Sequence, residues 1–435
     1  MHTLEQLRSG TLNGTRRLNL SCGLRSLPPE VFDLADTLEV LNLSSNQLHS
    51  LPHDLPRLHQ LKVIFCSDNP FTHLPEVLGD CPALQVVGFK ACQIHSVPGA
   101  ALPPALRWLI LTDNAVATLP PELGQRPALQ KLMLAGNQLC DLPASLAQAH
   151  GLELIRLAAN QLGQLPGWLT ELPHLSWLAL AGNPLGWSRP LPRPLRQMDW
   201  SQLRLDHKLG EGASGHIYRV MQDGHEPALA LKLFKGALTS DGLPEHELAA
   251  CLAAGRHVAL CTPQAELTGH PQDQRGLLLP LIDPTYINLA GPPSLDSCTR
   301  DVYPADLSLA CSTVLQLAQT IAGAVAHLHQ QAVMHGDLYA HNILWNPVNG
   351  DALLSDFGAA TLLPTNDAQQ NKALLALEVR AFGCLLQELL ERCPAQDAAT
   401  RGMGAMARLA QSCLQAQPMA RPTMAEVVVQ LTAIA

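Results

Sequence analysis

Residues 209–220 read LGEGASGHIYRV, with glycines at 210, 212 and 215, and the meaning of that spacing depends on whether the glycines open a helix or a strand. In a dinucleotide-binding fold GxGxxG opens a helix, and an acidic residue comes about 20 positions later. Here the glycines run into HIYRVM, a strand pattern, then a turn signal at Asp223-Gly224 and a second strand pattern, ALALKLF (228–234). Strand, glycine loop, strand is wrong for a dinucleotide site. It suits a loop whose backbone N–H groups cover phosphates.

Further along, Lys232 lies on the strand after the loop, and LPEHELAACLAAGRH (243–257) is a helix former with Pro244 in its first turn. An amphipathic helix at about 306–330 precedes HGDLYAHNILW (335–345), and ILWNPVNGDALLSDFG reads as strand, Asn349-Gly350 hairpin turn and strand. It ends in Asp356-Phe357-Gly358. These elements, in this order, resemble the eukaryotic-like protein kinases over roughly 200–435. LEVRAFGCLLQELL (377–390) resembles the helix that anchors the catalytic loop there, with Glu378 where the family has Asp, and SCLQAQPMARPTM (412–424) resembles the C-terminal signature with Arg421-Pro422.

The resemblance implies roles. Leu209, Gly210, Glu211, Gly212, Ala213, Ser214 and Gly215 would cover ATP, with Ile217 and Ala230 as the roof over adenine and Leu344 as the floor. Lys232 would hold the α and β phosphates, positioned by Glu247, or alternatively Glu245. Asp337 would accept the proton of the attacking hydroxyl, while Asn342 and Asp356 would hold Mg²⁺. His335 and Phe357 would be packing residues. The cofactors implied are ATP and Mg²⁺.

Several positions depart from the family. Gly336 replaces the arginine that contacts a phosphorylated activation loop, and Tyr339 replaces the lysine that touches the γ-phosphate in Ser/Thr kinases. Only about twenty residues separate Asp356 from Glu378, without an Ala-Pro-Glu motif, so the substrate-docking segment is largely missing and Arg421 lacks its usual partner. Thr361 and Thr365 offer the only hydroxyls between Gly358 and Glu378, and activity is expected not to depend on phosphorylation there. Nothing resembles the tyrosine-kinase catalytic loop, which favours Ser/Thr, although Tyr339-Ala340-His341 matches neither class. Two alternatives stay open: a small-molecule phosphotransferase of the aminoglycoside or choline type, and a nucleotide-binding pseudokinase scaffold.

The first half is periodic. LEVLNLSSN (38–46), LKVIFCSDN (61–69), LQVVGFKAC (84–92), LRWLILTDN (106–114), LQKLMLAGN (129–137), LELIRLAAN (152–160) and LSWLALAGN (175–183) recur at 23 residues, once 22, with TRRLNLSCG (15–23) as a degenerate first of eight copies. This resembles the leucine-rich repeat family, and its fusion to the second half resembles bacterial leucine-rich-repeat protein kinases. Alternation along each strand turns Leu41 and Leu43 inward, and one repeat buries its leucines only against its neighbours. The asparagines at 46, 69, 114, 137, 160 and 183 would satisfy backbone groups where the chain leaves each strand. The outward columns, from Arg17 to Trp177 and from Asn19 to Ala179, form an apolar face expected to bind a protein substrate or regulator, with Phe65, Trp108, Ile110, Met133 and Trp177 as contacts.

The expected architecture is an α/β solenoid, the leucine-rich repeat horseshoe, over 1–187, a Pro-rich spacer over 188–199, and over 200–435 a bilobal α+β protein-kinase fold with a shortened activation segment. A net charge of −9 without a sustained Lys/Arg run argues against nucleic acid. No stretch reaches about 18 consecutive apolar residues and no signal-peptide core opens the chain, so neither a membrane span nor Sec-type export is expected. The twelve cysteines, without CxxC pairs, read as reduced thiols of a cytoplasmic protein. Delivery into a host by another route is compatible with the same features.

Overall fold

The computed structural model describes residues 1–185, 187, 195–212, 215–222, 225–236, 238–239, 241–364, 367–394 and 401–434. Ala213, Ser214, Thr365, the Asp223-Gly224 turn and most of the expected Pro-rich spacer lie outside them. The chain divides into two compact units, one comprising Met1–Leu172 with Asn183–Leu185, the other Pro173–Gly182 with Gly186–Ala435.

In the first unit the helix α1 (Leu4–Arg8) precedes seven strands of three residues each: β1 (Arg17–Asn19), β2 (Val40–Asn42), β3 (Val63–Phe65), β4 (Val86–Gly88), β5 (Trp108–Ile110), β6 (Lys131–Met133) and β7 (Leu154–Arg156). They pair in parallel and in register, so that Leu41 faces Ile64, Ile64 faces Val87 and Val87 faces Leu109. That register stacks one leucine column into a dry core, with Leu41, Leu43, Leu109 and Leu132 fully buried. After each Leu-Pro pair the chain returns through short 3₁₀ turns such as Pro121–Gln125, for which the preceding proline sets the extended backbone.

The asparagine column ties consecutive turns together. Asn160 Nδ2 donates to Leu134 O at 2.9 Å and Leu157 O at 3.0 Å, and its Oδ1 accepts from Leu139 N at 3.0 Å. Asn46, Asn69, Asn114 and Asn137 make the corresponding bonds. In the copy at 84–92 Cys92 takes the position, its Sγ 3.4 Å from Cys66 O. The residue before each asparagine turns the chain through positive φ, as at Asp113 and Asp68.

The second unit begins with β8 (Trp177–Ala179), followed by β9 (Arg196–Asp199), β10 (Leu203–Glu211), β11 (Gly215–Gln222), β12 (His225–Phe234), α2 (Pro244–Ala254), β13 (Ala265–Thr268) and β14 (Gly276–Pro280). Six of these strands form one sheet in the order β10-β11-β12-β14-β13-β9, so Arg196–Asp199, expected in the spacer, is an edge strand paired in parallel with β13. Its Met198 joins the sheet core with Val220, Leu231, Leu233 and Leu278.

The helical part contains β15 (Ile287–Asn288), α3 (Cys311–Gln330), β16 (Val333–Met334), β17 (Ile343–Trp345), β18 (Ala352–Leu354), β19 (Thr361–Leu362), α4 (Ala368–Leu390), α5 (Arg401–Cys413) and α6 (Met424–Thr432). The helix expected from 306 starts at Cys311. The hairpin β17-β18 turns through Gly350 at φ 78°, as its Asn-Gly signal predicts. It holds the strand ends that carry the candidate site.

Candidate active site

Lys232 sits in mid-β12, opposite Ile217 of β11 and Leu277 of β14. Both neighbours are apolar, Lys232 is 7% exposed, and its ammonium turns to Glu247 and Asp356. Its Nζ lies 2.6 Å from Glu247 Oε1 and 3.5 Å from Asp356 Oδ1. Burial works against the ammonium, but Asp356 and Glu247 outweigh it and hold the Lys232 pKa above its ordinary value. Burial pushes the Glu247 carboxyl up to about 7 against the pull of Lys232. The alternative, Glu245, points away and pairs with Arg275 at 2.9 Å on the surface.

Asp356 holds a left-handed backbone (φ 57°), and its Oδ1 also accepts from Gly358 N at 3.2 Å. Lys232, ahead of the opposing effect of burial, keeps its carboxyl below the usual range. Asn342 Nδ2 donates to Asp337 Oδ2 at 2.8 Å and to Asp337 O at 3.0 Å, which fixes the carboxylate and turns Asn342 Oδ1 the other way. Ser355 joins the two groups: its N and Oγ both donate to Asn342 O, and its own carbonyl meets His335 Nε2 at 3.1 Å. The His335 and Phe357 rings pack 5.2 Å apart. An amide oxygen and a carboxylate oxygen are the hard donors that suit a magnesium ion, and the chemistry of this pair fits one.

The glycine loop is tied at its base. Gly215 lies where a Cβ would stand 2.5 Å from Leu233 O, so no other residue fits against β12. Lys235 Nζ binds Gly212 O and Glu211, and Lys208 binds Glu211 as well. Ala230 is buried, Ile217 and Leu344 are half-buried, Leu209 is exposed, and Gly210 lies opposite Ile217.

Two residues that departed from the family pattern acquire a structural reason. Gly336 has φ 74°, and a Cβ there would stand 2.6 Å from Leu178 O and 2.7 Å from Ala359 O. Side chains are excluded at that point, arginine included. Its N–H donates to Glu378 Oε1 at 2.7 Å, while His335 N and His329 Nε2 reach Oε2 at 3.2 and 2.8 Å. Tyr339 is buried, its ring stacked 4.2 Å from that of Trp177 at 8°.

Trp177 was expected on an exposed face and is 1% exposed. The alternation along its strand is intact; the burial comes from Leu338 and Tyr339, which pack on it. Several other members of the outward columns are buried too, among them Val63, Val86, Gly88, Lys131, Leu154 and Arg156. Neighbours within a column cover one another: the Phe65 ring lies over Gly88, and the Lys131 ammonium stands 4.1 Å from the Trp108 ring centroid. Phe65, Trp108, Ile110 and Met133 remain partly exposed.

Sequence reasoning missed two contributors, Asp301 and His329, and left open the partners of a third, Arg421. Asp301 accepts from His341 N at 3.0 Å and lies 2.7 Å from His341 Nδ1. His329 holds Glu378. Arg421, which lacks the family's acid, donates instead to the carbonyls of Gln415, Ala376 and Pro173 at 2.8–2.9 Å. Only the paired departures at Gly336 and Tyr339 signalled that something else packs on this loop.

Family comparisons agree with this architecture. The protein kinase domain model matches residues 294–381, and leucine-rich repeat models match 127–185 and 37–58. The chain carries leucine-rich repeats in its N-terminal region and a protein kinase domain in its C-terminal region. Among curated proteins it is similar to the serine/threonine-protein kinase Kist of Homo sapiens, 27% identical over 202 residues, 43% of this chain and 46% of that one. A PTI1-like tyrosine-protein kinase of Arabidopsis thaliana is 30% identical over 190 residues, 41% and 49% of the two chains. The probable inactive serine/threonine-protein kinase roco10 of Dictyostelium discoideum is 32% identical over 110 residues, 24% of this chain and 4% of that one. The chain spans about half or less of the length of each of these relatives. Among the described residues no helix is long and apolar enough to cross a membrane.

Proposed function

We propose that this chain is an ATP-dependent protein kinase acting on Ser or Thr hydroxyls, with its repeats binding the substrate or a regulatory partner. The observation that carries the reading is the buried Lys232–Glu247 pair at 2.6 Å with the exposed Asp356 carboxylate at 3.5 Å, because a scaffold without chemistry has no need to bury an ion pair and align a third charge on it. The serine/threonine class rests on the likeness to Kist, a serine/threonine-protein kinase, and on the lack of a tyrosine-kinase loop pattern.

In this reading Lys232 binds the α and β phosphate oxygens of ATP under the glycine loop. Asp337, oriented by Asn342, takes the proton of the acceptor hydroxyl as its oxygen bonds to the γ-phosphorus and the bond to the β-phosphate oxygen breaks, which leaves ADP. Magnesium, when bound by Asn342 and Asp356, supplies charge neutralisation at the phosphates. On the repeats, the partly exposed Phe65, Trp108, Ile110 and Met133 are the proposed partner contacts. The test is label transfer from γ-labelled ATP to protein by Lys232→Met and Asp356→Ala chains beside wild type. Wild-type transfer lost in both variants supports the reading; equal labelling by all three would remove it.

A further inference from the structure

The kinase domain lacks most of an activation segment, yet its catalytic loop is not left without support. The support comes from Pro173–Gly182, a segment with the repeat sequence pattern that belongs to the second unit. Trp177 Nε1 donates to Leu338 O at 3.0 Å, and its ring stacks on Tyr339, so it grips both residues that come after Asp337. Leu178 O closes against Gly336, and Leu180 N donates to Thr361 Oγ1 at 3.1 Å. At the other end Pro173 O accepts from Arg421 and His174 O from Arg380. Thr361, one of the two hydroxyls between Gly358 and Glu378, is 2% exposed and committed to this contact. Arg300 stands 5.3 Å from the Trp177 ring, and its neighbour Asp301 holds His341.

We propose that Trp177 is a positioning residue for the catalytic loop, and that the Pro173–Gly182 segment permanently replaces the missing activation segment as the brace that orients Asp337. The inference rests on the kinase reading for its catalytic consequence, while the bracing itself is a property of the fold. A stack of two large rings and a buried hydrogen bond hold the peptide units next to Asp337, where a displacement of about 1 Å is enough to cost of the order of 100-fold in rate. Because the brace is covalently part of the chain, no phosphorylation is needed to order the loop.

The test uses the full chain with Trp177→Leu, Trp177→Phe and Tyr339→Leu. Hydrogen exchange is followed on peptides covering 335–345, with α3 as internal control, and kcat and KM for ATP are measured with Mg²⁺ and dephosphorylated casein. The expected result for Trp177→Leu is roughly 10- to 50-fold faster exchange in 335–345 with α3 unchanged, a fall in kcat of about 10- to 100-fold, and a KM for ATP within about threefold of wild type. Phenylalanine, which keeps the stack and loses the bond to Leu338 O, falls between. Unchanged exchange at 335–345, or equally faster exchange in α3 with a lower melting temperature, would overturn the proposal and leave Trp177 a core residue. An inactive wild-type chain would defeat the kinase reading instead, and exchange alone would then decide the brace.

Discussion

Replacing Gly336 should be among the most damaging changes of one small group that this fold can suffer. A Cβ at φ 74° brings left-handed strain of about 1–2 kcal/mol. The same carbon would meet two backbone carbonyls, Leu178 O at 2.6 Å and Ala359 O at 2.7 Å, and neither can swing aside as a side-chain tip could. Relieving that overlap by shifting backbone costs about 1–3 kcal/mol. Gly336→Ala should therefore lose about 2–5 kcal/mol, a large part of the stability of an ordinary domain. Gly336→Arg, which restores the residue usual in the family, should be worse. The assay is thermal or urea unfolding of the full chain, with Gly323→Ala as control, since that glycine lies inside α3 with open space around its Cβ and should gain up to about 1 kcal/mol. A Gly336→Ala chain within about 1 kcal/mol of wild type would show that Leu178 and Ala359 do not close on this position.

Glu378→Gln should destabilise the chain by about 2–4 kcal/mol at pH 7, because the carboxylate accepts from His335 N, Gly336 N and His329 and an amide turns a donor on one of them. Burial raises the Glu378 pKa, but the His329 bond and the nearby His329 and His335 rings win and hold it below its ordinary value. The unfolded state thus binds the proton more readily, and the stability present above about pH 4.3 is lost as pH falls through the lower folded value; urea midpoints should converge between wild type and variant there. Arg421→Met should cost about 2–4 kcal/mol by leaving three carbonyls without their donor, read as a lower melting temperature of the second unit. Asn160→Ala, which removes four bonds at a site 2% exposed, should cost a similar amount in the repeat transition, with nucleotide affinity unchanged.

Local chemistry was legible in the sequence and long-range cover was not. The repeat period set the inward leucines and the asparagine bonds, since both depend on the nearest repeats alone. Lys232, Asp337, Asn342 and Asp356 stood in motifs whose spacing is fixed by the strands and hairpin that carry them. Glu247 was preferred over Glu245 without a deciding signal, because both lie in the first turn of α2 and only the packing of that helix turns Glu247 to Lys232 and Glu245 to Arg275. Trp177 could not be read: a period of two places it on a face of the strand, but the cover over that face comes from residues 338–339, far along the chain. The burial of Thr361 was hidden for the same reason, because its hydroxyl in β19 is covered by Leu180, distant in sequence.

The central claim is that the buried Lys232–Glu247 pair with Asp356 beside it and the Asp337–Asn342 pair together transfer phosphate to protein. The most direct measurement incubates the purified full chain with γ-labelled ATP, Mg²⁺ and a cell lysate, beside an Asp337→Asn chain, and locates the label. The account predicts label on serine or threonine of protein with wild type and a loss of several orders of magnitude in Asp337→Asn, with nucleotide binding retained in both. Nucleotide binding without transfer by wild type, label confined to small molecules, or an Asp337→Asn chain as active as wild type would contradict it.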